Sequence, residues 1–169
     1  MGENMRVAYA DPPYIGQAKK HYNSEEVDHK ELIYHLMDYD AWALSASSSS
    51  LQYLLSLCPL GVRIGVWVKP FCSFKKNVNP AYAWEPVIFK GARSVKERGI
   101  YPQQTVRDWV SANITLRKGL SGAKPEAFCY WLFELLGMRS SDEFYDLFPG
   151  TGAVTRAWQI WCSQLELKV

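Results

Sequence analysis

The feature that most constrains this chain is a buried strand that ends in two consecutive prolines. The apolar run 7–10 predicts the strand, and Pro12 and Pro13 end it, because proline fixes φ and has no N–H to donate. Asp11 and Tyr14 flank the two prolines. A carboxylate, two carbonyl groups and an aromatic ring are therefore expected together at the carboxyl end of a strand, where open α/β sheets bind ligands.

This group of residues suits an exocyclic amine on a flat base. Asp11 can accept one N–H of the amine, the carbonyl group of Pro12 can accept the other, and Tyr14 can stack on the ring. An ordinary turn that begins with Asp-Pro is the alternative interpretation of the same four residues.

A second turn at a strand end lies far downstream, between a predicted strand at 143–145 and a predicted helix at 153–162. It is rich in glycine, which lets a ligand approach the backbone closely at a helix N-terminus. A lone Gly-x-Gly turn is weak evidence, whereas its combination with the Asp-Pro-Pro-Tyr segment is far more specific. The residues expected at this second site are Asp146, Phe148, Pro149, Gly150, Thr151 and Gly152.

Together, the Asp11–Tyr14 segment and the Phe148–Gly152 turn resemble the motifs of amino-methyltransferases that use S-adenosylmethionine (SAM). In that family the acid-Pro-Pro-aromatic motif is catalytic and the Phe-x-Gly-x-Gly turn holds the cofactor. The catalytic motif comes first here, which resembles the circularly permuted beta-type DNA enzymes, and the likeness runs from about Val7 to Trp158. It implies a Rossmann-like α/β fold with a mainly parallel sheet, an antiparallel hairpin, and helices on both faces.

The resemblance implies methyl transfer from SAM to the N6 amine of adenine in DNA. Asp at position 11 favours adenine over the N4 amine of cytosine, and a base inside a duplex would have to be flipped out. Cytosine-N4 methylation of DNA, adenine methylation of RNA, and a non-catalytic nucleic-acid-binding subunit remain as alternatives. No metal ion is expected, because the sulfonium group of SAM is already activated. The implied catalytic residues are Asp11, Pro12, Pro13 and Tyr14.

Other implied cofactor contacts lie near both motifs. Lys124 and Pro125 begin a helix that resembles the family's first cofactor motif, which lies along the methionine part of SAM. Ala10 and Asp11 are expected to contact the cofactor from the strand that precedes the prolines. A strand is expected at 165–169, and its Glu166 is the candidate for the acidic residue that binds the ribose hydroxyl groups.

The basic charge of the chain is concentrated in one segment. The chain has a formal net charge of +2, whereas residues 90–124 contain eight basic and two acidic residues and therefore carry +6. Such a segment suits a phosphate backbone, although ordinary solvated lysines are the alternative. The residues expected to contact nucleic acid, from loops, this segment and family likeness, are Lys19, Lys20, Lys75, Lys76, Trp84, Arg93, Arg98 and Arg107.

Two segments resemble substrate-binding parts of the family. Trp84 and Glu85 open an apolar strand that ends at Lys90, and they resemble an aromatic-acid pair beside the target base. Core and turn roles are the alternatives for this pair. The basic insert 91–123 stands where permuted enzymes carry target recognition. Its short length implies a short recognition sequence, help from a dimer partner, or a grip on the nucleic-acid backbone.

The 169 residues are enough for one domain with a sizeable core. We therefore expect a single methyltransferase domain over 1–169. No apolar run approaches the roughly 18 residues that span a bilayer, and no signal peptide is apparent. With the resemblance, this indicates a cytoplasmic protein of bacterial or phage origin, with a homodimer as one option.

The spacing of the cysteines and histidines does not indicate a cross-linked scaffold or a metal site. The cysteines are expected to be free thiols in a reducing compartment. They are Cys58, Cys72, Cys129 and Cys162. The histidines are expected at or near the surface, and they are His21, His29 and His35.

Overall fold

The computed structural model of the chain describes residues 3–16, 26–71, 76–94, 96–97, 105–115 and 123–166. The strands are β1 (Arg6–Ala10), β2 (Ala41–Ser45), β3 (Arg63–Val68), β4 (Trp84–Lys90), β5 (Trp109–Ser111) and β6 (Glu143–Asp146). The helices are α1 (His29–Leu36), α2 (Leu51–Leu57), α3 (Glu126–Leu136) and α4 (Ala153–Glu166), and a 3₁₀ turn at Ser48–Ser50 precedes α2. No helix within these ranges is long and apolar enough to cross a bilayer.

The strands form one sheet in the order β5-β3-β4-β2-β1-β6. Strands β6, β1 and β2 are parallel, and β4 is antiparallel to both β2 and β3. Strand β5 pairs parallel with β3. The predicted mixture of a mainly parallel sheet and one antiparallel hairpin is therefore confirmed. Because β4 runs opposite to its neighbours, its first residues lie at the same edge as the carboxyl ends of β1, β2, β3 and β6.

The two faces of the sheet are covered by different helices. In β1, Val7 and Tyr9 belong to a core cluster that includes the buried faces of α3 and α4. Ala8 and Ala10 belong to a second cluster with residues of α1 and α2. Since successive strand residues point to opposite faces, one apolar run supplies both cores. The result is a three-layer sandwich, with the carboxyl ends of the parallel strands at one edge of the sheet.

Local capping explains where the helices begin and end. Helix α1 begins at His29 because the Asp28 side chain accepts hydrogen bonds from the amides of Lys30 and Glu31. The sequence predicts an N-cap at Ser24, because two glutamates follow it, and Ser24 lies outside the described residues. The serine run 47–50 predicts a turn and a helix cap, and Ser47 does cap the 3₁₀ turn. Gly137 ends α3 with φ of 66° in the left-handed region.

One prediction about secondary structure is wrong, and one strand was not predicted. Leu165 and Glu166 lie in α4 rather than in a strand, and residues 167–169 lie outside the described ranges. The helix continues because Val154, Ala157, Trp158, Trp161 and Leu165 repeat at helical spacing along one face. Strand β5 was not predicted, because three residues are too few to show a period. It places part of the 91–123 insert at the edge of the sheet.

The predicted nucleic-acid contact at Arg93 is also wrong. Arg93 is buried, and its guanidinium donates to both carboxylate oxygens of Asp142, at 2.7 and 2.8 Å. It donates further to the backbone oxygens of Gly137 and Glu3. Burial would raise the pKa of Asp142, but Arg93 and the amides of Met5 and Arg139 hold that pKa below its usual value. This side chain therefore ties the start of β1 to the start of β6.

The predictions for cysteines and histidines have mixed outcomes. Cys58 and Cys129 are free thiols, as expected, and Cys162 forms no disulfide with either of them. His29 is buried rather than near the surface, and its Nδ1 lies 2.9 Å from the backbone oxygen of Val27. His35 is exposed, as predicted. Cys72 and His21 lie outside the described residues.

Replacing Asp142 with Asn should destabilise the fold by about 3 to 5 kcal/mol, because it leaves a buried guanidinium without its counter-charge. Urea unfolding would measure this loss. The control is Asp108→Asn, which removes an exposed pair to Arg63 at 3.9 Å and should cost less than about 1 kcal/mol. Equal losses in the two variants would contradict the role given to Arg93 and Asp142.

Candidate active site

The fold brings together the two motifs that lie at opposite ends of the chain. Strands β1 and β6 are parallel neighbours, with Tyr9 opposite Asp146. The amide of Leu147 donates to the backbone oxygen of Tyr9 at 2.9 Å. The Asp11–Tyr14 segment and the glycine turn therefore leave the sheet side by side at its carboxyl edge. This is the position at which open α/β sheets bind ligands.

A chain of four charged side chains lies beneath this edge. The Lys124 Nζ atom is 3.0 Å from Asp11 Oδ1 and 2.6 Å from Glu85 Oε1. The second oxygen of Glu85, Oε2, lies 2.8 Å from the Nζ atom of Lys69. The Lys124 and Glu85 side chains are each only 5% exposed. We call Lys69, Glu85, Lys124 and Asp11 the buried charge chain, and its formal charges sum to zero.

Aromatic rings enclose the two ammonium groups of the buried charge chain. The Nζ atom of Lys69 lies 4.6 Å from the centre of the Trp67 ring, and that of Lys124 lies 5.5 Å from the same centre. Lys124 also lies 5.7 Å from the centre of the Phe128 ring. Electron-rich ring faces attract cations, most strongly where water is excluded. The site therefore stabilises both ammonium groups without exposing them.

The charges shift one another's ionisation. Burial raises the pKa of Asp11, and the ammonium of Lys124 offsets part of this rise. Burial would also raise the pKa of Glu85, but Lys124 and Lys69 outweigh it, so that this pKa is lowered. Burial would lower the pKa of Lys124, yet Asp11 and Glu85 raise it above its ordinary value. Lys124 therefore stays charged at every ordinary pH.

Asp11 remains accessible to a ligand even though its ion-pair partner is buried. Its side chain is 23% exposed. Pro12 is buried, whereas Pro13 and Tyr14 are half-buried. A small polar group can thus reach the carboxylate from the edge of the sheet. The segment is rigidly based, because Ala10, directly before it, is fully buried in the sheet.

A cavity of about 410 Å³ opens at the same edge. It is lined by Ser48, which follows β2, by the loop 77–82, and by Trp84 at the start of β4. The Trp84 side chain is 42% exposed, so its ring is available to a ligand, as a nucleic-acid contact requires. Glu85, the next residue, points into the buried charge chain.

The glycine turn holds an acidic side chain whose hydrogen bonding is incomplete. Asp146 Oδ2 accepts from the Thr155 hydroxyl at 3.0 Å. Asp146 Oδ1 is buried, and no hydrogen bond of good geometry reaches it from the described residues. Burial raises the pKa of Asp146, with partial offset by Thr155 and the backbone amide of Phe148. A buried acceptor of this kind fits a ligand that brings a donor.

The backbone of the turn is shaped by its glycines. Gly150 has φ of 48° and Gly152 has φ of 72°, which L-residues with side chains rarely adopt. The amide of Gly152 donates to the backbone oxygen of Pro149 and closes the turn. Phe148 packs against the core on the α1 and α2 face. Pro149, Gly150 and Thr151 are exposed, so a ligand can reach this backbone.

The residues predicted to contact nucleic acid differ in their exposure to solvent. Lys76, Trp84 and Arg107 are exposed, and the Arg107 guanidinium lies 5.4 Å from the centre of the Trp109 ring. Arg93 is buried, as described above. Lys19, Lys20, Lys75 and Arg98 lie outside the described residues.

Sequence reasoning missed two features of this site. Lys69 directly follows β3 and therefore lies at the same edge as Asp11, but its role was not foreseen. The hydroxyl groups of Tyr9 and Ser45 form a buried hydrogen bond of 2.8 Å between β1 and β2. In the described part of the chain, no group of three His, Cys, Asp or Glu side chains is arranged to hold a metal ion.

Comparison with known proteins gives evidence from structure alone. No family model matches the chain. No curated protein matches it either. A solved structure of M1.HpyAVI in complex with SAM matches at a TM-score of 0.59 and 14% identity, over 94% of this chain and 79% of that one. A structure of M1.HpyAVI matches at a TM-score of 0.60 and 16% identity, over 94% and 78% of the two chains.

M1.HpyAVI is a SAM-dependent DNA methyltransferase. The chain described here has a methyltransferase fold. This confirms the fold class that the two motifs implied. At such low identity the likeness concerns the fold, and the chemistry must be argued from the site itself.

Replacing Lys124 with Met should destabilise the protein by about 3 to 5 kcal/mol near neutral pH, because two carboxylates lose their shared cation. The pKa values of Asp11 and Glu85 should both rise in this variant. Keeping a carboxyl group ionised in the folded protein costs stability when its folded pKa is raised. The loss in the free energy of unfolding should therefore shrink as the pH falls towards about 5 and these groups become protonated. Urea unfolding at several pH values would measure the free energy of unfolding of the variant and of the wild-type protein.

The control for this experiment is Lys90→Met, since the one contact of the Lys90 ammonium within the described residues is an exposed hydrogen bond to the backbone oxygen of Leu60. Its deficit should be small and independent of pH. A Lys124→Met deficit that stays constant between neutral and acid pH would contradict the coupling of Lys124 to the two carboxylates.

Proposed function

We propose that this protein transfers a methyl group from SAM to the N6 amine of adenine in DNA. The observation that carries the proposal is the meeting of Asp11 and the glycine turn at the carboxyl edge of adjacent strands. A methyltransferase of this type needs an acceptor for the amine beside a place for the methyl donor. The fold shared with M1.HpyAVI, a SAM-dependent DNA methyltransferase, supports the reaction class.

For this reaction the protein mainly has to accept hydrogen bonds from the substrate amine. The lone pair of the amine is delocalised into the adenine ring, which makes it a poor nucleophile. Acceptance of its two N–H groups by the Asp11 carboxylate and the Pro12 carbonyl favours a tetrahedral nitrogen, whose lone pair is available for attack. Tyr14 would hold the ring by stacking. Catalysis then comes from positioning and electrostatics in a site with little water.

The cofactor would lie against the glycine turn. SAM supplies the methyl group on an activated sulfonium. Asp146 would face a donor or cationic group of the cofactor, since its Oδ1 atom is buried and lacks a partner among the described residues. The exposed backbone of Gly150 and Thr151 permits the close approach that a cofactor needs. We assign the Lys124 ammonium to Asp11 and Glu85 rather than to the cofactor, because both carboxylates already occupy it.

The choice of adenine in DNA follows from the acceptor and from the surface. An ionised Asp11 accepts hydrogen bonds, as the amine of adenine requires, and the order of the two motifs matches that of permuted DNA enzymes. Arg107 and Trp109 lie at the β5 edge as an exposed cation and aromatic ring, which suits a phosphate and a base. A homodimer remains a prediction.

Replacing Asp11 with Ala should lower kcat for methyl transfer to DNA by about a hundredfold to a thousandfold, because an acceptor that acts in the transition state is lost. Tritiated SAM and unmethylated plasmid DNA would provide the measurement. The control is Asp38→Ala, since the Asp38 side chain is 67% exposed and distant in the fold. Equal rates in the wild-type protein and the Asp11 variant would contradict the catalytic assignment.

Replacing Asp146 with Asn should weaken SAM binding roughly 10- to 100-fold, since a charged hydrogen bond to the cofactor is lost. Isothermal calorimetry would measure the dissociation constant. The control is Glu143→Gln at the other end of β6, where the carboxylate accepts only from the Tyr145 hydroxyl among the contacts described. An unchanged affinity in the Asp146 variant would exclude the glycine turn as the cofactor site.

Replacing Arg107 with Ala should weaken DNA binding and reduce the salt dependence of log Kd by about one unit of slope, as expected for one lost phosphate contact. Fluorescence anisotropy at several salt concentrations would measure both quantities. The control is Lys30→Ala on α1, three strands away from the β5 edge. If both variants keep the wild-type slope, the β5 edge is not part of the DNA interface.

A further inference from the structure

We propose that Glu85 is a positioning residue for Asp11: it holds the Lys124 ammonium back, so that Asp11 stays available to the substrate amine. The inference deepens the proposed function and rests on it. Glu85 belongs to a strand of the sheet and is not expected to touch substrate, because its side chain is 95% buried and both its oxygens are taken by lysines.

The distances show which carboxylate holds the ammonium more firmly. Lys124 Nζ lies 2.6 Å from Glu85 and 3.0 Å from Asp11. A charged hydrogen bond of 2.6 Å is at the short end of its range, whereas 3.0 Å is slightly long. The ammonium therefore leans towards Glu85. It is close enough to Asp11 to stabilise the ionised form without enclosing the carboxylate.

The surrounding elements explain why Glu85 can act as an anchor. Glu85 lies opposite Trp67 in the β3–β4 pairing, in the interior of the sheet. Lys69 holds its second oxygen and so fixes the plane of its carboxylate. Lys124, in contrast, precedes α3 on a long side chain with several rotatable bonds. Without Glu85, the only carboxylate within ion-pair distance of Lys124 in the described structure would be Asp11.

Removal of the Glu85 charge would thus have two linked effects. The ammonium would move fully onto Asp11 and compete with the amine for its oxygens. The groups that act on the Asp11 charge are Lys124, which lowers its pKa, and Glu85 and Asp146, which raise it. Burial and, after it, the charge of Asp11 raise the pKa of the Tyr9 hydroxyl, so this group also senses Asp11. Loss of Glu85 should therefore lower the pKa of Asp11, whereas loss of Lys124 should raise it.

The test compares Glu85→Gln with the wild-type protein in steady-state methyl transfer across pH. The side chain keeps its shape, so the fold should survive. We expect kcat to fall about tenfold to a hundredfold, the KM values for SAM and DNA to stay within about twofold, and the acid limb of the profile to move to lower pH. Glu85→Asp, which keeps the charge, should recover part of the lost kcat and keep the limb in place.

Asp142→Asn provides the control for a purely structural effect. It also breaks a buried ion pair, but at the amino end of β1, which is about 16 Å from Asp11 along a five-residue strand. It should lower thermal stability and leave the pH profile of the folded enzyme unchanged. If Glu85→Gln behaves like this control, or if its kcat equals that of the wild-type protein, the positioning role is overturned.

Carbon-13 NMR of the Asp11 carboxyl group separates this inference from the proposed function. The midpoint of its titration should be lower in Glu85→Gln than in the wild-type protein, whether or not methyl transfer is detected. Coincident midpoints would overturn the coupling even in an active enzyme. A lowered midpoint in Glu85→Gln, combined with no methyl transfer by the wild-type protein, would support the coupling and refute the proposed function.

Discussion

The shared ammonium of Lys124 is the interaction on which the rest of the site depends. Two carboxylates, from the end of β1 and from β4, approach each other in a region with little water, and a single buried cation makes this possible. Two unpaired buried carboxylates would be strongly unfavourable, and at least one would be protonated. The aromatic rings of Trp67 and Phe128 keep water away and attract the cations. The electrostatics of the site are therefore part of the fold: Lys124, from a distant segment of the chain, offsets part of the rise that burial causes in the pKa of Asp11.

The topology of the sheet determines which chemical groups can meet. Strand β1 lies between β6 and β2 and is parallel to both, so the Asp-Pro-Pro-Tyr segment has the glycine turn on one side and the serine-rich turn after β2 on the other. The reversed strand β4 then adds Trp84 and Glu85 to the same edge, although they stand at the start of their strand. Four separate segments thus supply a carboxylate, a glycine turn, an aromatic ring and a second, buried carboxylate. The topology therefore brings all the parts of the candidate active site to one edge of a small domain.

Much of this could be predicted from the sequence, where the signals are local. The prolines after β1, the glycines before α4 and the cap at Ser47 act through their own backbone geometry, and each was found in its expected place. The sequence failed where long-range contacts decide. Arg93 looked like one more cation of a basic segment, yet Asp142 binds it in the interior. The expected cofactor contact of Lys124 stays a prediction, but the sequence did not show that Lys124 lies between Asp11 and Glu85. Residues 165–169 alternate between apolar and polar side chains, as in a strand. Leu165 and Glu166 nevertheless continue helix α4, because the apolar residues of α4 repeat at helical spacing up to Leu165.

The central claim is that this carboxyl edge carries out methyl transfer to adenine in DNA. The most direct measurement is mass spectrometry of nucleosides, after the protein has been incubated with SAM and either duplex DNA or an RNA of the same sequence. The account predicts N6-methyladenine in the DNA, well above the amount formed in RNA. N4-methylcytosine, or N6-methyladenine in RNA alone, would move the activity to a different substrate. The absence of any methylated nucleoside, in a protein that binds DNA but not SAM, would contradict the account and indicate a binding subunit.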